Sequence, residues 1–223
     1  MKTAQFVLMA AVVLLSAGNP LEAQDTLYTA YVVAPGTIGD QNLVSVPQKL
    51  GMDFNVNQPI WIVSLGVFDS GGDGLRNSTA AHIFNRDTGA LLTTLSFSKA
   101  EPGDLIGGSR FKTLPTALAL APGFHGSIVA DYFPGPVELN GNKGNNRPNA
   151  PWSTDSGGGA LTFVGTGRIG YTTDPALYPI VLDSGPADRY AAGTFQFSLV
   201  PEPSTLALVG IGLGSLLCFR RRK

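Results

Sequence analysis

Apolar and polar positions alternate along much of this chain. Leu50 to Val56 sets Met52, Phe54 and Val56 against Asp53 and Asn55, the period of two expected of a strand with one buried face. Thr194 to Leu199 repeats it, with Phe195, Phe197 and Leu199 on the apolar side. Ser127 to Phe133 places Ile128, Ala130 and Tyr132 opposite Val129, Asp131 and Phe133, and Arg110 to Leu114 alternates as well. Ile60 to Phe68 is different. Nearly every position is apolar, which predicts a central strand covered on both faces, with Trp61 in the core.

Turn residues separate these segments. Tyr28 to Val33 is a strand stopped by Ala34-Pro35-Gly36. Thr79 to Phe84 and Leu91 to Phe97 flank Asn85-Arg86-Asp87-Thr88-Gly89, a hairpin expected at a sheet edge. Leu118 to Leu120 runs into Ala121-Pro122-Gly123, and Ala160 to Val164 with Arg168 to Tyr171 predicts a second, short hairpin. From Pro134 to Gly159 the pattern is lost among asparagine, glycine and proline, with Trp152 inside the stretch. A loop of that length is either functional or disordered. Pro175 to Asp188 is irregular too. No amphipathic helix of ordinary length interrupts the strands. The pattern predicts an all-β fold, an antiparallel β-sandwich with jelly-roll-like connectivity.

Both ends depart from this alternation. Phe6 to Leu15 is an apolar run behind Lys2, followed by Leu21-Glu22-Ala23, which predicts a secretory signal peptide over 1–23. Ser16-Ala17-Gly18 is a competing cleavage site. At the other end Val200-Pro201-Glu202-Pro203-Ser204-Thr205 precedes an uncharged run from Leu206 to Phe219 and the basic residues Arg220, Arg221, Arg222 and Lys223. As a helix that run reaches roughly 20 Å, short of the ~30 Å of a bilayer core. Gly210, Gly212 and Gly214 weaken it further. The basic residues keep to the cytoplasmic side, so the body lies outside. Prolines flanking Glu202 hold an extended segment, the form a protease-like cleft can grip. The body between spans 24–199, and the tail 200–223.

This tail resembles the PEP-CTERM sorting signal of Gram-negative bacteria in all three parts and their order. The resemblance implies processing by an exosortase, a membrane cysteine transpeptidase acting near Pro201, Glu202 and Pro203. It also implies transient anchoring in the inner membrane, and a producer of extracellular polysaccharide or biofilm. Within the body, Ser64-Leu65-Gly66-Val67-Phe68-Asp69, Gly72-Asp73-Gly74-Leu75, His82-Ile83-Phe84, Gly89-Ala90-Leu91-Leu92 and Leu120-Ala121-Pro122-Gly123 resemble PEP-CTERM-associated β-sandwich domains. That second likeness implies a carbohydrate-binding-type or adhesion-type module.

Composition narrows the chemistry. The net charge of −1 gives no footprint for nucleic acid. Cys218 is the single cysteine and lies in the tail, so the body has no disulfide. Asp69-x-Gly71-x-Asp73-Gly74 places Asp69 and Asp73 at the first and fifth positions of a calcium loop. Gly71 and Ala80 stand where further ligands belong, so the complete pattern fails. A looser calcium site and a plain turn with self-bonded aspartates both remain. No Gly-x-Ser-x-Gly or His-Glu-x-x-His motif occurs, and neither His82 nor His125 sits in a ligand cluster of known spacing. Trp152 is a candidate sugar-stacking platform or a loop anchor. Three functions follow in order: a non-enzymatic structural or adhesive module, a carbohydrate-binding module using Trp152, and an enzyme acting on exopolysaccharide.

Overall fold

In the computed structural model, residues 26–39, 47–132, 152–185, 187 and 189–200 are described. The expected signal peptide, and the tail beyond Val200 with Pro201, Glu202, Pro203 and Arg220 to Lys223, lie outside them. In chain order the strands are β1 (Tyr28–Thr29), β2 (Tyr31–Val33), β3 (Gln48–Val56), β4 (Ile60–Phe68), β5 (Thr79–Asn85), β6 (Leu91–Phe97) and β7 (Asp104–Ile106). Then follow β8 (Ser109–Leu120), β9 (His125–Tyr132), β10 (Trp152–Thr154), β11 (Leu161–Gly170), β12 (Val181–Asp183) and β13 (Gly193–Leu199). A 3₁₀ turn, Ser70–Gly72, follows β4.

The strands form antiparallel sheets. One runs β1-β13-β4-β8-β7, a second β12-β11-β3-β9-β5-β6, and a short pair joins β10 to β2. Successive long strands change sheet from β3 to β4, β4 to β5, β8 to β9 and β11 to β13. The two large sheets bury their facing sides in one core. Ile60, Ile62, Leu65, Phe195 and Phe197 from the first meet Leu50, Met52, Phe54, Ile83 and Ile128 from the second. The ring of Phe195 lies 4.9 Å from that of Phe54 and 5.9 Å from that of Phe197, so aromatic contacts tie sheet to sheet. Each such side chain contributes about 1.5–3 kcal/mol by leaving water.

Several expectations hold. β4 is interior to its sheet, between β13 and β8. β5 and β6 form the edge hairpin. Phe195 and Phe197 face the core. The alternating residues Met52, Phe54 and Val56 do likewise.

Others are corrected. The second hairpin, Ala160–Val164 with Arg168–Tyr171, is one strand. Phe163 pairs with Phe54 and Gly167 with Met52, so residues 164–166 oppose Asp53 alone. Gly165 takes the positive φ of 82° inside that bulge, and the chain continues instead of reversing. Arg110–Leu114 and Leu118–Leu120 likewise belong to a single strand. Ile62 pairs with Leu118 and Ser64 with Thr113, leaving a bulge that houses Pro115, which has no N–H for a ladder. Trp61 is 36 % exposed instead of core, because only its neighbours Ile60 and Ile62 point inward. Trp152 is not in an irregular loop. It begins β10, which pairs with β2. The irregular stretch after Pro175 contains the edge strand β12.

Candidate functional site

Register places charged and polar residues side by side on the outer face of the six-stranded sheet. Lys49 on β3 pairs with Asp131 on β9, and Asp53 with Ser127. Gly51 and His82 both pair with Val129, and Phe84 pairs with Ser127. A strand's alternate residues share a face, so Lys49, Asp53, Ser127, Asp131, His82 and Phe84 form one surface. That surface is covered. Residues 171–180 cross it without regular secondary structure. Lys49 Nζ donates to the Pro175 carbonyl at 3.1 Å. The Tyr178 hydroxyl meets Ser127 Oγ at 2.8 Å. The Tyr178 ring lies 5.4 Å from that of Phe84, with the Arg168 guanidinium 5.0 Å from its centroid.

Two carboxylates organise the layer. Asp131 Oδ1 lies 3.2 Å from Lys49 Nζ, and Asp131 Oδ2 lies 2.9 Å from His82 Nε2. The Lys49 contact is a charge contact that misses hydrogen-bond geometry, so Oδ1 accepts no hydrogen bond among the described residues. His82 Nδ1 lies 2.7 Å from the Thr94 hydroxyl. A carboxylate only accepts, which assigns a proton to Nε2, and the Thr94 hydroxyl also reaches the Ala81 carbonyl at 3.3 Å. The Thr79 hydroxyl donates to the Asp131 backbone carbonyl. Lys49 and His82 are both 0 % exposed. An ammonium taken from water costs several kcal/mol unless paired, and Asp131 supplies that pairing.

Asp53 is the second centre. Arg168 Nε donates to its two oxygens at 2.7 and 2.9 Å. The Ser127 hydroxyl donates to Oδ1, so Ser127 in turn accepts from Tyr178. Arg86 Nη1 stands 3.7 Å away, while its Nη2 donates to Asn55 Oδ1 at 2.8 Å. Burial pushes the Tyr178 hydroxyl above the ordinary tyrosine value of 10.0. At the sheet edge, burial and the hydrogen bond to Asp183 raise Tyr190 further.

This arrangement holds a covering segment in place by charge and hydrogen bonding. His82 bonds Asp131 and Thr94, and Ser127 bonds Asp53 and Tyr178. These two side chains therefore do not pair as nucleophile and base.

The residues singled out from sequence have other surroundings. Asp69 is fully buried after β4. It accepts from Arg110 Nε at 2.6 Å and from the Gly74 N–H at 3.2 Å. The Asp73 side chain is 65 % exposed and lies 3.8 Å from Arg76. The two aspartates thus serve different partners. No group of three or more histidine, cysteine or acidic side chains is gathered to hold a metal among the described residues. His125 contacts Asp87 at 3.0 Å on the surface. Sequence reasoning gave no site role to Lys49, Arg168 or Tyr178. The available signal was charge: a lysine directly before the apolar run of β3 and an aspartate within β9, each in need of a partner.

Among the described residues no helix is long and apolar enough to cross a membrane. The sheet ends at Leu199, and the Val200 N–H donates to the Pro59 carbonyl at 3.0 Å. No curated protein matches the chain. Residues 199–223 match the PEP-CTERM protein-sorting motif. The chain therefore carries, directly after β13, a motif that implies export, sorting to the cell envelope or surface, and processing by an exosortase.

Proposed function

We propose that the body is a non-enzymatic structural or adhesive module of the cell surface or extracellular matrix, linked to exopolysaccharide or biofilm. The signal peptide over 1–23 exports it, and the Leu206–Phe219 run holds it briefly in the inner membrane until an exosortase cuts. The body is a jelly-roll-like β-sandwich. The observation that carries this reading is the sorting motif joined without a spacer to the last strand of the sheet. Cleavage beside that strand would release the whole sheet assembly as one unit. The covered charged layer favours a structural body, because Lys49 and His82 both find their counter-group, Asp131, within the layer.

The test is mass spectrometry of the mature protein from the producing cell. The expected species lacks 1–23 and the residues from Leu206 onward. Replacing Pro201 and Pro203 together with alanine is expected to leave the tail attached. An intact Leu206–Lys223 on the mature wild-type surface protein overturns the sorting step.

A further inference from the structure

At one end of the β5–β6 hairpin the outer face of the six-stranded sheet is open. Where β5 begins and β6 ends, a cavity of about 340 Å³ lies between these strands and the 171–180 segment. Small-molecule sites begin at about this size. Hydroxyl side chains dominate its polar lining. That of Thr79 is committed to the Asp131 carbonyl, and that of Ser98 accepts the Glu101 N–H at 3.1 Å. The hydroxyls of Ser78, Ser96 and Thr173 make no hydrogen bond among the described residues.

The charges of the lining are balanced. Asp131 faces Lys49 at 3.2 Å, and Glu101 faces Lys112 at 3.4 Å. Among the described lining residues no surplus cation stands ready for a phosphate or a carboxylate, which call for charge-assisted pairing. Both described carboxylates of the lining, Asp131 and Glu101, are paired with a lysine rather than free for a metal ion. A neutral molecule dense in hydroxyls meets both conditions, since each hydroxyl both donates and accepts. Ala80 and Pro175 add apolar contact for C–H groups.

We propose that this cavity binds one neutral sugar ring of a polysaccharide chain, through the hydroxyls of Ser78, Ser96 and Thr173. It deepens the surface-module reading by naming a ligand class. Its test is independent of the mass-spectrometric one, so either can fail alone.

The experiment is isothermal titration of the full-length chain with glucose, galactose, mannose, N-acetylglucosamine and their β-linked oligomers, with galacturonic acid as the charged comparator. Millimolar binding of at least one neutral sugar is expected, tighter for the oligomer. Ser96→Trp fills the cavity from an exposed position and is expected to weaken binding by about tenfold or more, which is readily resolved in a dissociation constant. Thr173→Trp does the same from the opposite wall and serves if the first variant fails to fold. Circular dichroism checks the fold of each. Absence of heat with every neutral sugar overturns the proposal. So does undiminished binding by both folded tryptophan variants, or binding confined to galacturonic acid.

Discussion

The six-stranded sheet has two buried faces built on opposite principles. Its inner face, with Leu50, Met52, Phe54, Ile83 and Ile128, packs on the five-stranded sheet through apolar contact. Its outer face, with Lys49, Asp53, His82 and Asp131, is buried under residues 171–180 through ion pairs and hydrogen bonds. Apolar packing is non-directional, so neighbours of a lost side chain relax in part. A buried charge has no such latitude, because its loss strands the partner. The inner face should therefore fail by degrees and the outer face by pairs.

The largest effects set the two faces against each other. Asp131→Ala leaves Lys49 buried without its counter-charge and should destabilise by about 3–5 kcal/mol. Phe195→Ala, in the apolar core, should cost a similar ~3–5 kcal/mol. Urea unfolding distinguishes them. Adding Lys49→Met to Asp131→Ala should recover much of the loss, because the stranded charge is gone. No second truncation should rescue Phe195→Ala. Equal behaviour of the two pairs would break the comparison.

Overpacking comes next. A Cβ at Gly126 would lie 2.3 Å from Phe54 Cζ, in a core where that ring is fully buried. Gly126→Ala should cost about 1–3 kcal/mol, measured as a lower urea midpoint with an unchanged slope. Tyr178→Phe removes one hydrogen bond from the covering segment and should cost about 1 kcal/mol. Its clearest readout is faster proteolysis within 171–180.

The tyrosines also give a pH test. Tyr178 and Tyr190 both hold their protons above the ordinary value of 10.0. A raised value means that the folded chain keeps protons that the unfolded chain releases. The stability this confers is complete below pH 10 and is lost as pH rises through the folded-state values. Tyr178→Phe should flatten the fall of the urea midpoint between about pH 9 and about pH 11. An unchanged slope would remove Tyr178 from the account. The smallest effect is at the surface. Asp73→Ala should stay within about 0.5 kcal/mol, in contrast to the buried Asp69 beside it.

The inner face was legible residue by residue, and the outer face was not. Alternation at Met52, Phe54 and Val56 marks the side that packs inward, and the same alternation reads Asp53 as solvated. In the fold Asp53 is buried, because Arg168 and Ser127 enclose it. Gly165 was read as part of a turn and lies in a bulge, since a positive φ suits both. The hydroxyl-lined cavity draws on β5, β6, β9 and the 171–180 segment at once, and no local pattern announces such a meeting.

By itself the sequence determined most of the long strands, the edge hairpin, the antiparallel all-β class and the sorting tail. Each of these depends on neighbours a few residues apart: a period of two, a turn, or a contiguous motif. Only the tertiary structure decided which polar face was covered and by what. Lys49 meets the Pro175 carbonyl across 126 positions of chain, and His82 meets Asp131 across 49. Periodicity says which residues share a face. It carries no term for the distant segment that removes that face from water.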